Sequence, residues 1–486
     1  MHFLPRFALP LVASAMLAAA PPAAEQIQAL IDAHPPVQRG QWGALFVDLR
    51  SGEVLFSQNA DSLFTPASNA KLLSSAAVLD KLGPGFRFVT RLCATAPLNN
   101  DGVLAGDLIL RGGGDPTLGR ARVPYDAKAP PADSLGALAE LVEAAWNSGL
   151  RRVEGDVAGD DTRYPWMPFP EGWAQDDTVF GYGAPVGALT LHDNLFLLRL
   201  TAAEPGEPPR LDVDPPLPYF TFDNRAVTAA PRDDTRIYLD RRPGSRHVEI
   251  RGHIAAGRAR SYEIAVSDPA AYAAYALRRL LIRRGIAVRG SFHAHHRLPA
   301  QPAPKPPEGE VTLAERESPP LAQILQVTGK VSNNLWAEIA IREAARASET
   351  DPPALIGGFL NSIDVPDTDF RLQDGSGLSR LDLVSPAALV RLLRHMAAQP
   401  DREAWFSILP VAGREGTLDS RFRRGTNGHG RVAAKTGTLS GVGALSGYAG
   451  LDSQNPVVFS VLVNNVNARS AEIRGFIDGL VALFVP

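Results

Sequence analysis

The sequence predicts a mixed fold, α+β or α/β: an antiparallel sheet with flanking helices, interrupted by an inserted, mostly-β module. Three observations carry this. A strand–turn–strand pattern stands near the start, two strand-like runs stand near the end, and helical periodicity accompanies both. Between them, short β-like runs alternate with Gly, Pro and Asp clusters.

Residues 42–57 alternate apolar and polar about Ser51 and Gly52, as a hairpin does. A helix follows. Pro66 stands near its start, Leu72, Leu73, Ala76, Leu79 and Leu82 recur at helical spacing, and Gly83 ends it. From about 86 to 292 the β-like runs are 106–111, 153–159, 195–200 and 248–252, with one amphipathic helix over 270–284 ended by Gly285. Residues 298–307 hold five prolines and read as a connector. Helices return at 321–329, 333–347 and 385–399. Strands are expected at 442–451 and 456–464, and a last helix at 471–484.

The expected organisation is therefore discontinuous. Residues 1–24 read as a signal peptide, with Arg6, an apolar run and small residues towards Ala24. Residues 25–85 and 308–486 share one unit. Residues 86–297 form the inserted module, as one subdomain or two, the inner one spanning about 200–258.

Composition narrows the function. The chain has 486 residues, 45% hydrophobic and 21% charged, which is ordinary globular material. A net charge of −3 gives no basic excess to attract nucleic acid. No later stretch is long and apolar enough for a membrane anchor, so the mature protein is expected outside the cytoplasmic membrane. The lone Cys93 has no disulfide partner and reads as a small core residue. His293, His295 and His296 lie beside the connector and read as a surface loop without a third spaced ligand group, so no metal site or cofactor is expected.

Three motifs carry chemistry. Ser68-Asn69-Ala70-Lys71 opens the first helix, Ser332-Asn333-Asn334 opens a later one, and Lys435-Thr436-Gly437-Thr438 lies on a predicted edge strand. S-x-x-K, S-D-N and K-T-G form a known set in that order. Only six lysines occur, and the chain holds one S-x-x-K and one K-T-G. Positions i and i+3 share a helix face, so Lys71 reaches the Ser68 hydroxyl and takes its proton if burial keeps the amine neutral. Free N–H groups at a helix start suit an oxyanion. Ser332 would relay a proton to the leaving amine, and Asn334 would hold Lys71 or the substrate amide. Lys435 would bring positive charge to a substrate carboxylate. Gly437 would let a substrate backbone approach an edge strand able to pair with a peptide. Asp374, in an Asp-Gly-Ser-Gly turn, reads as a cap in preference to a catalyst.

At these residues the sequence resembles the low-molecular-mass penicillin-binding proteins that act as D-alanyl-D-alanine carboxypeptidases and endopeptidases, in the branch with a large insert between the first two motifs. The likeness extends to 65–71 (TPASNAK), 110–118 (LRGGGDPTL), 155–162 (GDVAGDDT), 374–380 (DGSGLSR) and 409–413 (LPVAG). It implies a penicillin-binding-protein or serine β-lactamase-like domain around the insert. By position, Ser68 would be the acylated nucleophile and Lys71 its base. Ser332 and Asn334 would complete the proton network, and Lys435 with Thr436 would bind the substrate carboxylate. The oxyanion would sit between the N–H groups of Ser68 and Thr438, and no dedicated glutamate would serve deacylation. Peptidoglycan peptides would be substrates and β-lactams covalent inhibitors. An acid from the insert, Asp177 or else Asp176, would face the amino group of the stem-peptide diamino acid. Two departures stand out: Gln175 where a second Trp is common, and Asn333 where Asp is frequent. A β-lactamase or esterase with the same residues, or a silent peptidoglycan-binding protein, is the alternative.

Overall fold

The first and last strands of the described residues pair in one sheet. In the computed structural model, which describes residues 24–486, the five strands run Val54–Gln58, Gln41–Asp48, Val457–Asn464, Val442–Ala449 and Val432–Leu439, all antiparallel. The expected leader over 1–24 lies outside the described residues apart from Ala24, which begins a helix (Ala24–Asp32). Val442–Ala449 and Val457–Asn464 are buried at every position. Such a strand is covered on both faces and reads as a continuous apolar run. The final helix, Ser470–Leu483, covers one face through Ile473, Phe476, Ile477 and Leu480, beside the stacked rings of Phe46 and Phe484. The helices Ala70–Leu82 and Pro386–Ala397 cover the other. Helix Ala70–Leu82 is buried from Ala70 to Leu79, as a helix enclosed by protein must be. Gly83 ends it at φ +74.

The insert is built around a second five-stranded sheet in the order Phe292–Arg297, Val157–Pro165, Leu108–Arg111, Val89–Ala94 and Val311–Glu317. A three-stranded sheet combines Ala259–Ala265, Leu195–Thr201 and Arg210–Asp214. Thr221–Asn224, His247–Ala255, Val227–Ala229 and Arg236–Asp240 make a further small sheet. The expected helix near 270–284 is Pro269–Arg284, capped by Asp268 and by Gly285 in the left-handed region.

Three features differ from the sequence reading. Val311–Glu317 pairs antiparallel with Val89–Ala94, so the proline-rich connector lies within the insert's own sheet, and the boundary expected at 308 belongs beyond 317. Prolines mark where pairing stops; they do not say which sheet the next strand joins. A helix at Gly136–Asn147 was not anticipated, because no side chain caps its start at Leu135 to announce it. The three histidines form no surface loop. They lie on an edge strand, Phe292–Arg297, in register with Val157–Pro165.

His296 there stacks on Trp166 at 4.0 Å and sits between Asp161 at 2.8 Å and Asp268 at 3.3 Å. Burial opposes its charge, but the hydrogen bonds and charges of both carboxylates outweigh this and lift its pKa to about 10. An unfolded histidine titrates near 6.5. Because the folded value is raised, this contribution to stability is complete below pH ~6.5 and is lost as pH climbs through about 10. His296→Asn should therefore lower the melting temperature near neutral pH, with the gap to wild type narrowing towards pH ~10. A gap that stays constant across that range in thermal melts would contradict the account.

Candidate active site

Ser68 sits on a turn that two glycines hold in place. The short 3₁₀ turn Ala67–Asn69 runs directly into helix Ala70–Leu82, and Ala67 adopts φ +48. A Cβ on Gly437 would fall 2.7 Å from the Pro66 carbonyl oxygen and 3.1 Å from the Ala67 Cβ. A Cβ on Gly377, at φ +78, would fall 1.8 Å from the Ala67 carbonyl oxygen. The Gly of the third motif is thus required by packing against the turn that carries Ser68, a reason the sequence reading did not give. Buried Asn69 donates to Ser446 Oγ at 2.7 Å, and Ser446 donates to Ser460 Oγ at 2.9 Å, pinning the turn to the sheet.

Lys71 lies one helical turn on and is buried. Its Nζ donates to Ser68 Oγ at 3.0 Å, to Asn334 Oδ1 at 2.6 Å and to the Ser376 carbonyl at 2.6 Å. Ser332 closes the helix Leu321–Val331 in the left-handed region, φ +60. Asn333 then caps the helix Asn334–Ala347 by accepting from the Trp336 N–H at 3.0 Å. This sharp reversal presents Ser332 to Lys435, whose Nζ donates to Ser332 Oγ at 2.9 Å and to the Thr436 carbonyl at 2.9 Å. Of the two roles open to Asn334, the geometry shows contact with Lys71, while its amide nitrogen donates to the Tyr182 carbonyl of the insert at 2.8 Å.

These groups border a cleft of about 450 Å³ lined by Ser68, Asp177, Tyr182, Ser332, Asn334, Arg380 and Thr438. Thr436 and Thr438 share one face of the edge strand. Thr438 lines the cleft, and the Thr436 hydroxyl donates to Thr417 at 2.8 Å. Lys435 does not present its ammonium to the cleft as expected. It is buried and turned onto Ser332. Asp177 lines the cleft and accepts from the Tyr182 hydroxyl at 2.9 Å, whereas Asp176 is exposed and does not line it. Tyr182 and Arg380 were not singled out from sequence, although Arg380 ends one of the family-like stretches.

Burial drives the electrostatics. Burial pulls the Lys71 pKa down to about 8, against the opposing charges of Asp374, Glu338 and Asp382. Burial, then the charge of Lys71, drives Lys435 well below its ordinary value. Burial and the Asp374 charge push Glu338 up to about 7. Asp374 itself accepts from the backbone N–H groups of Ser376, Gly377, Leu378 and Ser379 and from Ser376 Oγ, so it caps its turn. The cluster gives a hydroxyl held against an amine that is partly neutral near pH 7, beside a second serine held by a second amine. That is the equipment of acyl transfer.

Comparison with known proteins agrees. Residues 23–483 match the model of the D-Ala-D-Ala carboxypeptidase 3 (S13) family. A D-alanyl-D-alanine carboxypeptidase of Actinomadura sp. (strain R39) is 34% identical over 467 residues, covering 92% of this chain and 82% of the relative. The crystal structure of penicillin binding protein 4 (dacB) from Haemophilus influenzae superposes with a TM-score of 0.79 at 24% identity, covering 94% of this chain and 98% of that one. The same protein complexed with a novel β-lactam gives 0.76 at 23% identity, covering 95% and 99%. With its serine, its paired amines and its insert-lined cleft set out in that frame, the chain belongs to the D-Ala-D-Ala carboxypeptidase 3 (S13) family of serine-type hydrolases.

Proposed function

We propose that Ser68 is the nucleophile of a D-Ala-D-Ala carboxypeptidase and D,D-endopeptidase acting on peptidoglycan stem peptides and cross-links. The observation that carries this is the double contact of Lys71 with Ser68 and Asn334, set beside that of Lys435 with Ser332. Neutral Lys71 takes the hydroxyl proton as Ser68 Oγ bonds to the scissile carbonyl carbon. The oxyanion is held by the backbone N–H groups of Ser68 and Thr438. The proton passes through Ser332 to the leaving amine as the C–N bond breaks. Water then hydrolyses the ester, with Lys71 again as base. Lys435 acts through Ser332, and its positive field, with the hydroxyls of Thr436 and Thr438, favours the terminal carboxylate of the substrate. β-Lactams would acylate the same oxygen.

Asp177 is read as the partner of a substrate amino group, since it is the acid that lines the cleft. A β-lactamase or esterase would not need a cleft wall supplied by an insert, which favours the peptidase reading. Beyond the cytoplasmic membrane is the proposed location, where peptidoglycan is found; among the described residues no helix is long and apolar enough to cross a membrane.

Fluorescent penicillin should label the wild-type protein and not Ser68→Ala. An unlabelled wild type, or a labelled Ser68→Ala, would defeat the assignment. Digestion of purified muropeptides, read by mass, should release D-alanine from pentapeptides and split cross-linked dimers. Since the base must be neutral, the acylation rate should rise with pH through about 8 and level off above it. A flat profile from pH 6 to 10 would exclude Lys71 as the titrating base, about two pH units either side of the midpoint sufficing. Asp177→Asn should raise KM for peptides with a free side-chain amine by about tenfold and leave penicillin acylation unchanged, one lost charged hydrogen bond being worth ~1.5–3 kcal/mol. Equal losses on both substrates would remove Asp177 from that role.

A further inference from the structure

We propose that the turn 374–380 is a clamp through which the insert's cleft loop sets the position of the Lys71 amine, with Trp173 and Asp374 as positioning residues. The inference rests on the reading of Ser68 and Lys71 as nucleophile and base.

The turn touches both parties. On the insert side, Trp173 Nε1 donates to Asp374 Oδ2 at 2.8 Å. Ser379 Oγ donates to the Glu171 carbonyl at 2.8 Å, and the Arg380 N–H to the Gly172 carbonyl at 3.3 Å. Gly172 holds φ +87, and a Cβ there would lie 2.3 Å from Ser379 Oγ. On the nucleophile side, the Ser376 carbonyl accepts from Lys71 Nζ at 2.6 Å, and the Gly375 carbonyl accepts from Ser74 Oγ at 2.6 Å. Gly377 packs against the Ala67 carbonyl, the residue before Ser68. One turn thus fixes both ends of the Ser68–Lys71 pair while gripping the loop that carries Asp177.

The turn transmits position because it has little freedom. Asp374 is 1% exposed and gathers four successive backbone N–H groups. Its Oδ2 alone accepts from Ser376 Oγ, Leu378 N–H, Ser379 N–H and the Trp173 indole. The indole is the only one of these donors that comes from outside the turn. A carboxylate so placed cannot rotate without releasing several donors at once, and each released donor would be buried. The Ser376 carbonyl follows the carboxylate, and the Lys71 amine follows the carbonyl. Asp374 also acts on the amine by charge, favouring its protonated form.

The test separates positioning from binding by using penicillin G, which has no diamino acid side chain for the loop to read. Trp173→Phe keeps the ring and loses the N–H. It should melt cooperatively, bind penicillin with unchanged Kd, and acylate with a limiting rate about tenfold lower, the loss expected of one hydrogen bond to a charged group. Asp374→Asn should lower that rate further and move the midpoint of its pH profile to lower pH, since the carboxylate that favours the ammonium is gone. Wild-type limiting rates in both variants, with the midpoint unmoved, would overturn the clamp and leave the Ser68 assignment standing. Labelling that survives Ser68→Ala would overturn both.

Discussion

A buried amine must have hydrogen-bond acceptors, and the site is organised around meeting that demand for Lys71. An ammonium out of water costs several kcal/mol unless its protons are accepted. Lys71 has three protons when charged, and three acceptors stand within 3.0 Å: Ser68 Oγ, Asn334 Oδ1 and the Ser376 carbonyl. They come from segments far apart in sequence. The amine can therefore be satisfied only when the Ser68 turn with helix Ala70–Leu82, the start of helix Asn334–Ala347 and the turn 374–380 are all in place. The same burial lowers its pKa. Satisfying the amine and lowering its pKa are thus one requirement of the fold.

Lys435 meets a parallel demand with fewer partners. Its Nζ reaches Ser332 Oγ and the Thr436 carbonyl, and among the described side chains no carboxylate pairs with it. Two amines held in one low-dielectric site disfavour each other's charge. The buried acids behind Lys71 work in the opposite sense. Glu338 accepts from the Gly375 N–H at 2.8 Å, and burial together with the Asp374 charge pushes Asp382 well above its usual range.

Much of this was legible in the residues. The hairpin, helix Ala70–Leu82 and the last two strands were read from periodicity, because each buries a face or a whole surface that must be apolar. The motifs were legible because S-x-x-K and K-T-G both name lysine, which is rare in this chain. What escaped has a common cause: it depends on contacts between distant segments. Nothing near 311–317 announces that this strand pairs with Val89–Ala94. Lys435 read from sequence as open to the cleft, because its inward turn onto Ser332 is a tertiary fact. Gly437 looked like room for substrate, when the space is taken by Pro66 and Ala67. Tyr182 sits among ordinary loop residues, and its role at the cleft follows from its carbonyl meeting Asn334.

The insert is then more than an attachment to a catalytic core. Its loop supplies the Tyr182 carbonyl to Asn334, and Asn334 in turn holds Lys71. Its Trp173 reaches Asp374, whose turn offers Lys71 a further acceptor. Away from the cleft, Arg163 and Tyr164 of the insert both donate to Glu343 on helix Asn334–Ala347, the helix that starts with Asn334. Glu343 is fully buried, and burying a carboxylate without such donors is strongly unfavourable. Removing the insert would leave Glu343 and the Asn334 amide without these partners and loosen the helix that aims Asn334 at Lys71. The arrangement explains how a module inserted between the first two motifs can belong to the same site: the buried Lys71 amine is held from both sides of the insertion, and one of those sides rests on the insert itself.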